Sequence, residues 1–448
     1  MKNVCSWKKA LACSLSFLLV AMAGLTSASA QTVVPINGTP PALTPVTINN
    51  GAGDQYDPHI SGDWVAYTSD NSIRYYNFAT NTDAEIPRGD SARDLLSDIS
   101  GSKIVFSRVI TAVKTAVMVF DALTPTADPI EIDAAVGSNR IGSAIGGNTV
   151  AYIDFGLHAA GEVVIHDLTT ATSQRITNDA LFDQNPSVSP DGTVVTWEHC
   201  ATSTSNCDIW QAVKSGAVWS VSAAANSANP EANADTNGSL VVYDSIRGLD
   251  RGDLFWREVG GGAEVQLQMP SVEANPSIAV NFIAFESRPT LFSTSDIFVY
   301  DITTNLLYQI TDTLLVTEQL NDITVLPDGR IRVVWGSDED GFDSRNVHGA
   351  TFSLPSVTPS PTELLQQLID MVAGLNLRRG IANSLNAKLE NAQAALAAAQ
   401  SGGSASACGM LSAFIHEVQA QSGKAITTQD ATQLINLANQ VRAGLACP

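Results

Sequence analysis

The chain has 448 residues, of which 44% are hydrophobic and 15% charged, so it is too long for one ordinary core and too apolar to be disordered throughout. Its formal net charge is −21, and since residues 1–30 hold Lys2, Lys8 and Lys9 and no acid, the remainder is more negative still. Such a chain repels phosphate backbones and carries no basic stripe, which excludes nucleic acid as a partner.

Lys8 and Lys9 precede the apolar run Ala10 to Leu25, and Ser27-Ala28-Ser29-Ala30 ends in the small residues of a cleavage site. The pattern predicts a secretory signal peptide over 1–30, cut between Ala30 and Gln31. The run is too short for a membrane anchor and no later run reaches spanning length, so we expect an exported protein, periplasmic or extracellular, without an integral membrane segment. Cys13 lies too early and lacks a lipobox, so a lipoprotein is not expected. Export removes Cys5 and Cys13 and leaves Cys200, Cys207, Cys408 and Cys447, an even number in an oxidising compartment. Nearest-neighbour pairing is the simplest choice; on the chain-entropy view it contributes roughly 2 kcal/mol for Cys200–Cys207 and about 4 kcal/mol for Cys408–Cys447. Neither pair has the tight spacing that zinc sites favour.

After an extension over 31–42, a repeat of roughly 44 residues runs through 43–354. Four segments share a turn before a short strand: Asp57-Pro58-His59-Ile60, Asn185-Pro186-Ser187-Val188, Asn229-Pro230-Glu231-Ala232 and Asn275-Pro276-Ser277-Ile278. Ser97-Asp98-Ile99, Ser143-Ala144-Ile145 and Asn321-Asp322-Ile323 occupy the same slot without the proline. Each is followed by a tight turn, such as Ser61-Gly62-Asp63 or Pro190-Asp191-Gly192, and then by a β-branched run ending in an aromatic, such as Val65-Ala66-Tyr67 or Val333-Val334-Trp335. A third strand (Asp296-Ile297-Phe298-Val299-Tyr300) and a fourth (Tyr308-Gln309-Ile310) complete the unit. Four antiparallel strands of this size make a propeller blade, and blades bury their faces only by stacking around an axis, so the expectation is an all-β seven-bladed β-propeller. The seventh repeat lacks a fourth strand, and Val46-Thr47-Ile48-Asn49-Asn50 resembles the blade-ending segments Ile176-Thr177-Asn178-Asp179 and Ile310-Thr311-Asp312. That segment is expected to complete the seventh blade and close the ring.

A stiff Pro-rich linker over 355–360 leads to 361–448. Ser360, Pro361 and Glu363 form a helix start. Apolar residues then recur at helical spacing in four stretches, centred on Leu365–Val372, Ile381–Leu396, Met410–Val418 and Leu434–Leu445, separated by Ser401-Gly402-Gly403 and Ser422-Gly423-Lys424. Four amphipathic helices with short loops predict a small all-α C-terminal four-helix domain, in which Cys408–Cys447 would join neighbouring helices.

Asn185-Pro186-Ser187-Val188-Ser189-Pro190-Asp191-Gly192, Asp296-Ile297-Phe298-Val299-Tyr300-Asp301 and Trp335-Gly336-Ser337-Asp338-Glu339-Asp340-Gly341 resemble the WD40-like repeats of TolB-type propellers over residues 43–354. The second and third repeats depart from that pattern by lacking the proline. The α/β N-terminal domain of TolB itself is missing here, so its role in the envelope is not carried over. Residues 361–447 are similar to the FIMAH domain of secreted bacterial proteins through Leu375-Asn376-Leu377, Gly380-Ile381-Ala382-Asn383-Ser384-Leu385 and Phe414-Ile415-His416-Glu417-Val418-Gln419-Ala420-Gln421-Ser422-Gly423-Lys424. That resemblance implies an extracellular accessory module and brings no catalytic residues with it.

Chemistry is harder to find. The six histidines, His59, His158, His166, His199, His348 and His416, fall in different blades or in the bundle, and His166 and His348 read as packing or surface residues on third strands. No G-x-S-x-G elbow, P-loop or H-E-x-x-H is present. The loop Asp338-Glu339-Asp340-Gly341-Phe342-Asp343 offers alternating carboxylates at Asp338, Asp340 and Asp343, which suit calcium, but the terminal bidentate Glu is missing and an Asp/Gly turn explains the loop better. We therefore expect no catalytic residue, metal or cofactor. The expectation is a monomeric, secreted, non-enzymatic platform that binds a protein or a glycan at a propeller face, with the bundle as accessory. The alternative is a polysaccharide lyase or glycosidase working in the central funnel, for which convergent carboxylates or a His–metal cluster would be the sign.

Overall fold

The computed structural model describes residues 31–89, 93–134, 137–202, 205–247, 252–341, 344–354, 360–375, 377–397 and 404–447. The predicted signal peptide, Asp343, Arg251, residues 355–359 of the linker, Asn376 and the Ser401-Gly402-Gly403 break lie outside them. The chain divides into two compact units with the break after Ser353.

The first unit is a seven-bladed β-propeller. Its blades begin with the strands Gln55–Ser61, Arg93–Ser100, Arg140–Gly146, Phe182–Val188, Glu231–Thr236, Val272–Ala279 and Glu318–Val325. Each of these innermost strands packs against that of the next blade, the seventh against the first, so the ring is closed. The β-branched runs form the second strands. Their terminal aromatics, Tyr67, Phe106, Tyr152, Trp197, Tyr243, Phe285 and Trp335, are all buried. Separate apolar clusters fill the spaces between successive blades, such as Ile73, Phe106 and Phe120 between the first and second. The seventh blade takes its fourth strand from Thr44–Asn49, which pairs antiparallel with Asn346–Phe352.

The extension over 31–42 is not a free tail. Gln31–Val33 pairs parallel with Val265–Leu267 of the fifth blade, and Ile36–Asn37 pairs parallel with Leu306–Gln309 of the sixth. The chain thus straps the outer edges of two blades before completing the third, and edge N–H and C=O groups that would face water find partners. The sequence offered no period-2 pattern long enough to show these two- and three-residue pairings.

The second unit holds four helices: α1 (Pro361–Gly374), α2 (Arg379–Ala397), α3 (Ser404–Gln421) and α4 (Thr428–Gly444). Helix α1 starts with a reciprocal capping box: Glu363 N donates to Ser360 Oγ, and Ser360 N donates to Glu363 Oε2. Thr427 caps α4 by accepting from Asp430 N. Leu365, Leu368, Leu385, Leu389, Leu411, Phe414, Val418, Leu434 and Val441 belong to one apolar cluster drawn from all four helices. Cys408 and Cys447 are joined in a disulfide.

Candidate functional site

The Asn-Pro signature that reveals the repeat marks a β-bulge. In every blade the pairing of the first and second strands slips by one or more residues at this place. The bulge residue, Asp57, Leu96, Gly142, Asn185, Asn233, Asn275 or Leu320, has a left-handed φ between 49° and 61°. Asn, Asp and Gly tolerate that conformation and Leu does not, so Leu96 and Leu320 are held there by their surroundings. In the fifth blade this slot belongs to Asn233-Ala234-Asp235, not to Asn229-Pro230-Glu231-Ala232. The Asn229-Pro230 dipeptide precedes the strand and matched the motif by composition alone. The seventh repeat aligns one residue earlier than its spacing suggests, with Leu320 at the bulge.

Two residues beyond each bulge stand His59, Asp98, Ala144, Ser187, Asp235, Ser277 and Asp322, one per blade, around a central cavity of about 350 Å³. His59 Nε2 lies 3.6 Å from Asp57, and its Nδ1 lies 3.6 Å from Asp98 and 3.8 Å from Asp322. Burial works against the imidazolium, but the three carboxylates outweigh it and push the His59 pKa up to about 10. Burial raises Asp322 to about 7 despite His59, and it raises Asp98 and Asp235 too.

These aspartates are also spent on the ring itself. Asp98 accepts from Ile145 N of the third blade at 2.6 Å, Asp235 from Ile278 N of the sixth at 2.8 Å, and Asp322 from Ile60 N of the first at 2.8 Å. The inner edge of an innermost strand has no sheet partner, so its amides need such acceptors. Two further layers do the same work. At the turns joining first and second strands, Ser61, Ser100 and Thr324 accept from Gly101 N, Gly147 N and Gly62 N of the next blade. Around blades four to six, second-strand carboxylates form a chain. Glu198 accepts from Asn185 Nδ2 of its own blade and Asn233 N of the next; Asp244 does so with Asn233 and Asn275; Glu286 with Asn275 and Leu320. Burial lifts Asp244 to about 6 and raises Glu286, with the amide donors only partly offsetting it.

The other singled-out residues lie apart from this ring. His166 is buried and meets Ser173 at 2.8 Å; His199 meets Asp183 at 2.7 Å and packs on Trp210; His348 meets Glu339 at 2.8 Å. His158 accepts from Ala160 N, and His416 is exposed on α3. Asp338 accepts from Thr317 N and Asp340 from Asn346 Nδ2, so both serve the fold of their loop, where Gly341 has φ +114°. Cys200 and Cys207 face each other across a hairpin and are joined in a disulfide. With Glu198 they have the spacing of a metal site, but joined sulfurs cannot act as thiolate ligands. The His59 ring escaped the histidine survey because two of its three carboxylates, Asp98 and Asp322, come from other repeats. Reading down the position after Pro58 in the aligned repeats would have found Asp98 and Asp322.

Blade strands alternate in direction, so second-to-third-strand loops and blade-to-blade connections share one end of the ring, here termed the loop end. There the sixth-blade loop 289–295 carries Phe292, 98% exposed, and the connection 310–317 carries Leu314 and Leu315, 88% and 84% exposed. They are the most exposed large apolar side chains among the described residues. The loops are tied at their bases, where Glu318 N donates to Ser295 O and Ser295 Oγ to Glu318 O.

Comparison with known proteins adds the following. No protein-family model matches the sequence, and no curated protein does either. Solved structures similar in fold include a TolB from Acinetobacter baumannii (16% identity, 67% of this chain and 78% of that one, TM-score 0.39). A protein described as a TolB from Agrobacterium tumefaciens shares 15% identity over 66% of this chain and 90% of that one, with TM-score 0.40. The β-propeller domain of the Trilobed protease from Pyrococcus furiosus shares 12% identity over 67% of this chain and 96% of that one, with TM-score 0.47.

Proposed function

We propose that this chain is an exported, non-catalytic binding protein whose propeller presents the crest of Phe292, Leu314 and Leu315 to a protein partner. The crest carries this reading. Large apolar side chains left almost wholly in water on a strongly acidic protein mark a surface meant to be covered. Two of the three are leucines, which favours a polypeptide over a glycan. The two disulfides support export, and the helical unit acts as an accessory module, in keeping with its resemblance to FIMAH domains. A monomer suffices for this role.

One observation favours the polysaccharide-active alternative, the meeting of Asp98 and Asp322 on His59. Both carboxylates are engaged by backbone amides of neighbouring blades, which supports a structural reading of that cluster.

The test places a photo-crosslinking residue at Leu315 and, as a control at the opposite end, at Val280, which is also exposed. Treated with envelope extract and medium of the producing cells, the Leu315 site should capture a partner, and Phe292→Ser with Leu314→Ser should cut capture at least tenfold. Equal capture from both sites, or turnover of uronic-acid polymers lost in Asp322→Asn, would sink this reading.

A further inference from the structure

The crest is set in a field of carboxylates. Asp312 is exposed two residues before Leu314. The second-to-third-strand loop of the seventh blade is clasped to the same connection: Thr317 N donates to Asp338 Oδ1, and Asp338 N to Thr317 O. That clasp brings exposed Glu339 and Asp340 beside the leucine-bearing connection. On its other flank Asp296 accepts from Thr313 N. Of the nearby basic groups, Arg345 is committed to Asp54, with contacts of 2.8 and 2.6 Å, His348 meets Glu339 at 2.8 Å, and Arg288 stands just before the loop that carries Phe292. Beneath the loops, burial pushes Glu318 up to about 7, and the charges of Glu339 and Asp296 push in the same direction. Negative charge here is therefore only partly balanced by the protein.

We propose that the crest between blades six and seven docks a cationic polypeptide segment, one with large aliphatic or aromatic anchors flanked by lysine or arginine. The inference rests on the binding reading above and specifies the chemistry of the partner. Apolar anchors would cover Phe292, Leu314 and Leu315, while the basic flanks meet Asp312, Glu339 and Asp340. Charge complementarity of this kind speeds encounter and rejects acidic or neutral partners. The same field repels an anionic lipid surface, which would otherwise be a natural cover for exposed leucines.

The experiment titrates the full chain, by fluorescence anisotropy, with three synthetic twelve-residue peptides. All share one pattern of Leu and Phe anchors, and the remaining positions are all Lys, all Ser or all Glu. The Lys peptide should bind at least tenfold more tightly than the Ser peptide and the Glu peptide least. Raising salt from low to several times physiological should close most of that gap. Asp312→Asn with Glu339→Gln and Asp340→Asn should weaken the Lys peptide several-fold; the amides keep the oxygen that accepts from Asn346 Nδ2. Asp370→Asn with Glu390→Gln, which removes charge from the helical unit, should leave it unchanged. Lys and Ser peptides binding alike would overturn the cationic inference and leave the platform standing. Equal loss from the two sets of neutralisations would reduce the effect to general acidity and overturn it too. If no peptide binds and crest substitutions do not alter crosslinking, the binding reading itself falls.

Discussion

Two arcs of the propeller hold their blades together by different means. From the fourth blade to the seventh, boundaries are closed by Glu198, Asp244 and Glu286, each receiving an Asn side chain from its own blade and a bulge amide from the next. From the seventh through the first to the third, the register-equivalent positions hold Gly336, Thr68, Ser107 and Ile153, with no carboxylate. There the outer layers of the boundaries are closed at the turns, by Thr324, Ser61 and Ser100 on glycine amides, and only at the innermost layer do Asp322 and Asp98 add carboxylates. The amides to be satisfied are the same in kind. The difference is where the acceptor stands and whether it is charged, so the arcs should respond differently to mutation and to pH.

The largest effect is expected in the carboxylate arc. Glu286→Ala leaves Leu320 N and Asn275 Nδ2 without their acceptor in a buried setting, which should cost about 2–3 kcal/mol. Thermal unfolding of the propeller transition reads it directly. Glu286→Gln keeps one acceptor oxygen and should cost less than half as much. If Ala and Gln prove equal, the clasp does not hold the arc.

Acidity separates the arcs next. Asp244 has a folded pKa near 6 against 3.8 for its usual value. A carboxyl raised on folding binds its proton more tightly in the native state, so its contribution is present at low pH and is lost as pH rises through about 6. His59, at the seam of the first and seventh blades, has a folded pKa near 10 against 6.5. Its contribution is complete below 6.5 and is lost as pH rises through about 10. Melting temperature should therefore decline in two stages, and Asp244→Asn should shrink the acidic stage, to which Asp322 and Glu318 also contribute, while leaving the alkaline stage in place. Imidazole NMR should find His59 still protonated at pH 8, and Asp322→Asn should bring its titration down. A His59 that titrates at its ordinary value would remove the basis for the second stage.

The hydroxyl arc should be less sensitive. Ser100→Ala removes one neutral acceptor from Gly147 N at a turn that water can approach, a loss of roughly 0.5–1 kcal/mol. Hydrogen exchange at Gly147 should quicken without a global change. A cost matching that of Glu286→Ala would erase the distinction between the arcs.

Apolar periodicity carried most of the architecture. The buried aromatic that ends each second strand, the repeat length and the unfinished seventh blade were enough to reach a closed seven-bladed ring, and the capping box and helical spacing located the four helices. Polar clasps were less legible. Asp98 and Asp322 look like ordinary strand-entry residues in their own repeats, and only alignment around the ring makes them neighbours of His59. Asn229-Pro230 shows the opposite failure, a motif by composition that the backbone does not use, because the fifth blade needs its left-handed residue at Asn233, where the slip in pairing falls. The crest was not legible in the sequence, since exposure is a property of the fold and not of Phe or Leu.

The smallest effect concerns the strap. Gln31–Val33 and Ile36–Asn37 pair with the outer strands of blades five and six through a handful of amide bonds: Gln31 N to Glu264 O, Gln268 N to Val33 O, Ile36 N to Asn305 O and Gly38 N to Leu307 O. Both blades belong to the arc already tied by Asp244 and Glu286 at its inner edge, so the strap secures the rim of blades whose hub is held elsewhere. Its bonds lie in water on one side, and each exchanges a solvent partner for a protein one, so removal of residues 31–38 should cost no more than about 1 kcal/mol. The change should be local: faster exchange at Gln268 and Leu307 with unaltered protection at Tyr243 and Phe285. If the deletion instead lowered the melting point as far as Glu286→Ala does, hub and rim would be one cooperative unit, and the contrast between the arcs would have to be redrawn as a contrast between strapped and unstrapped blades.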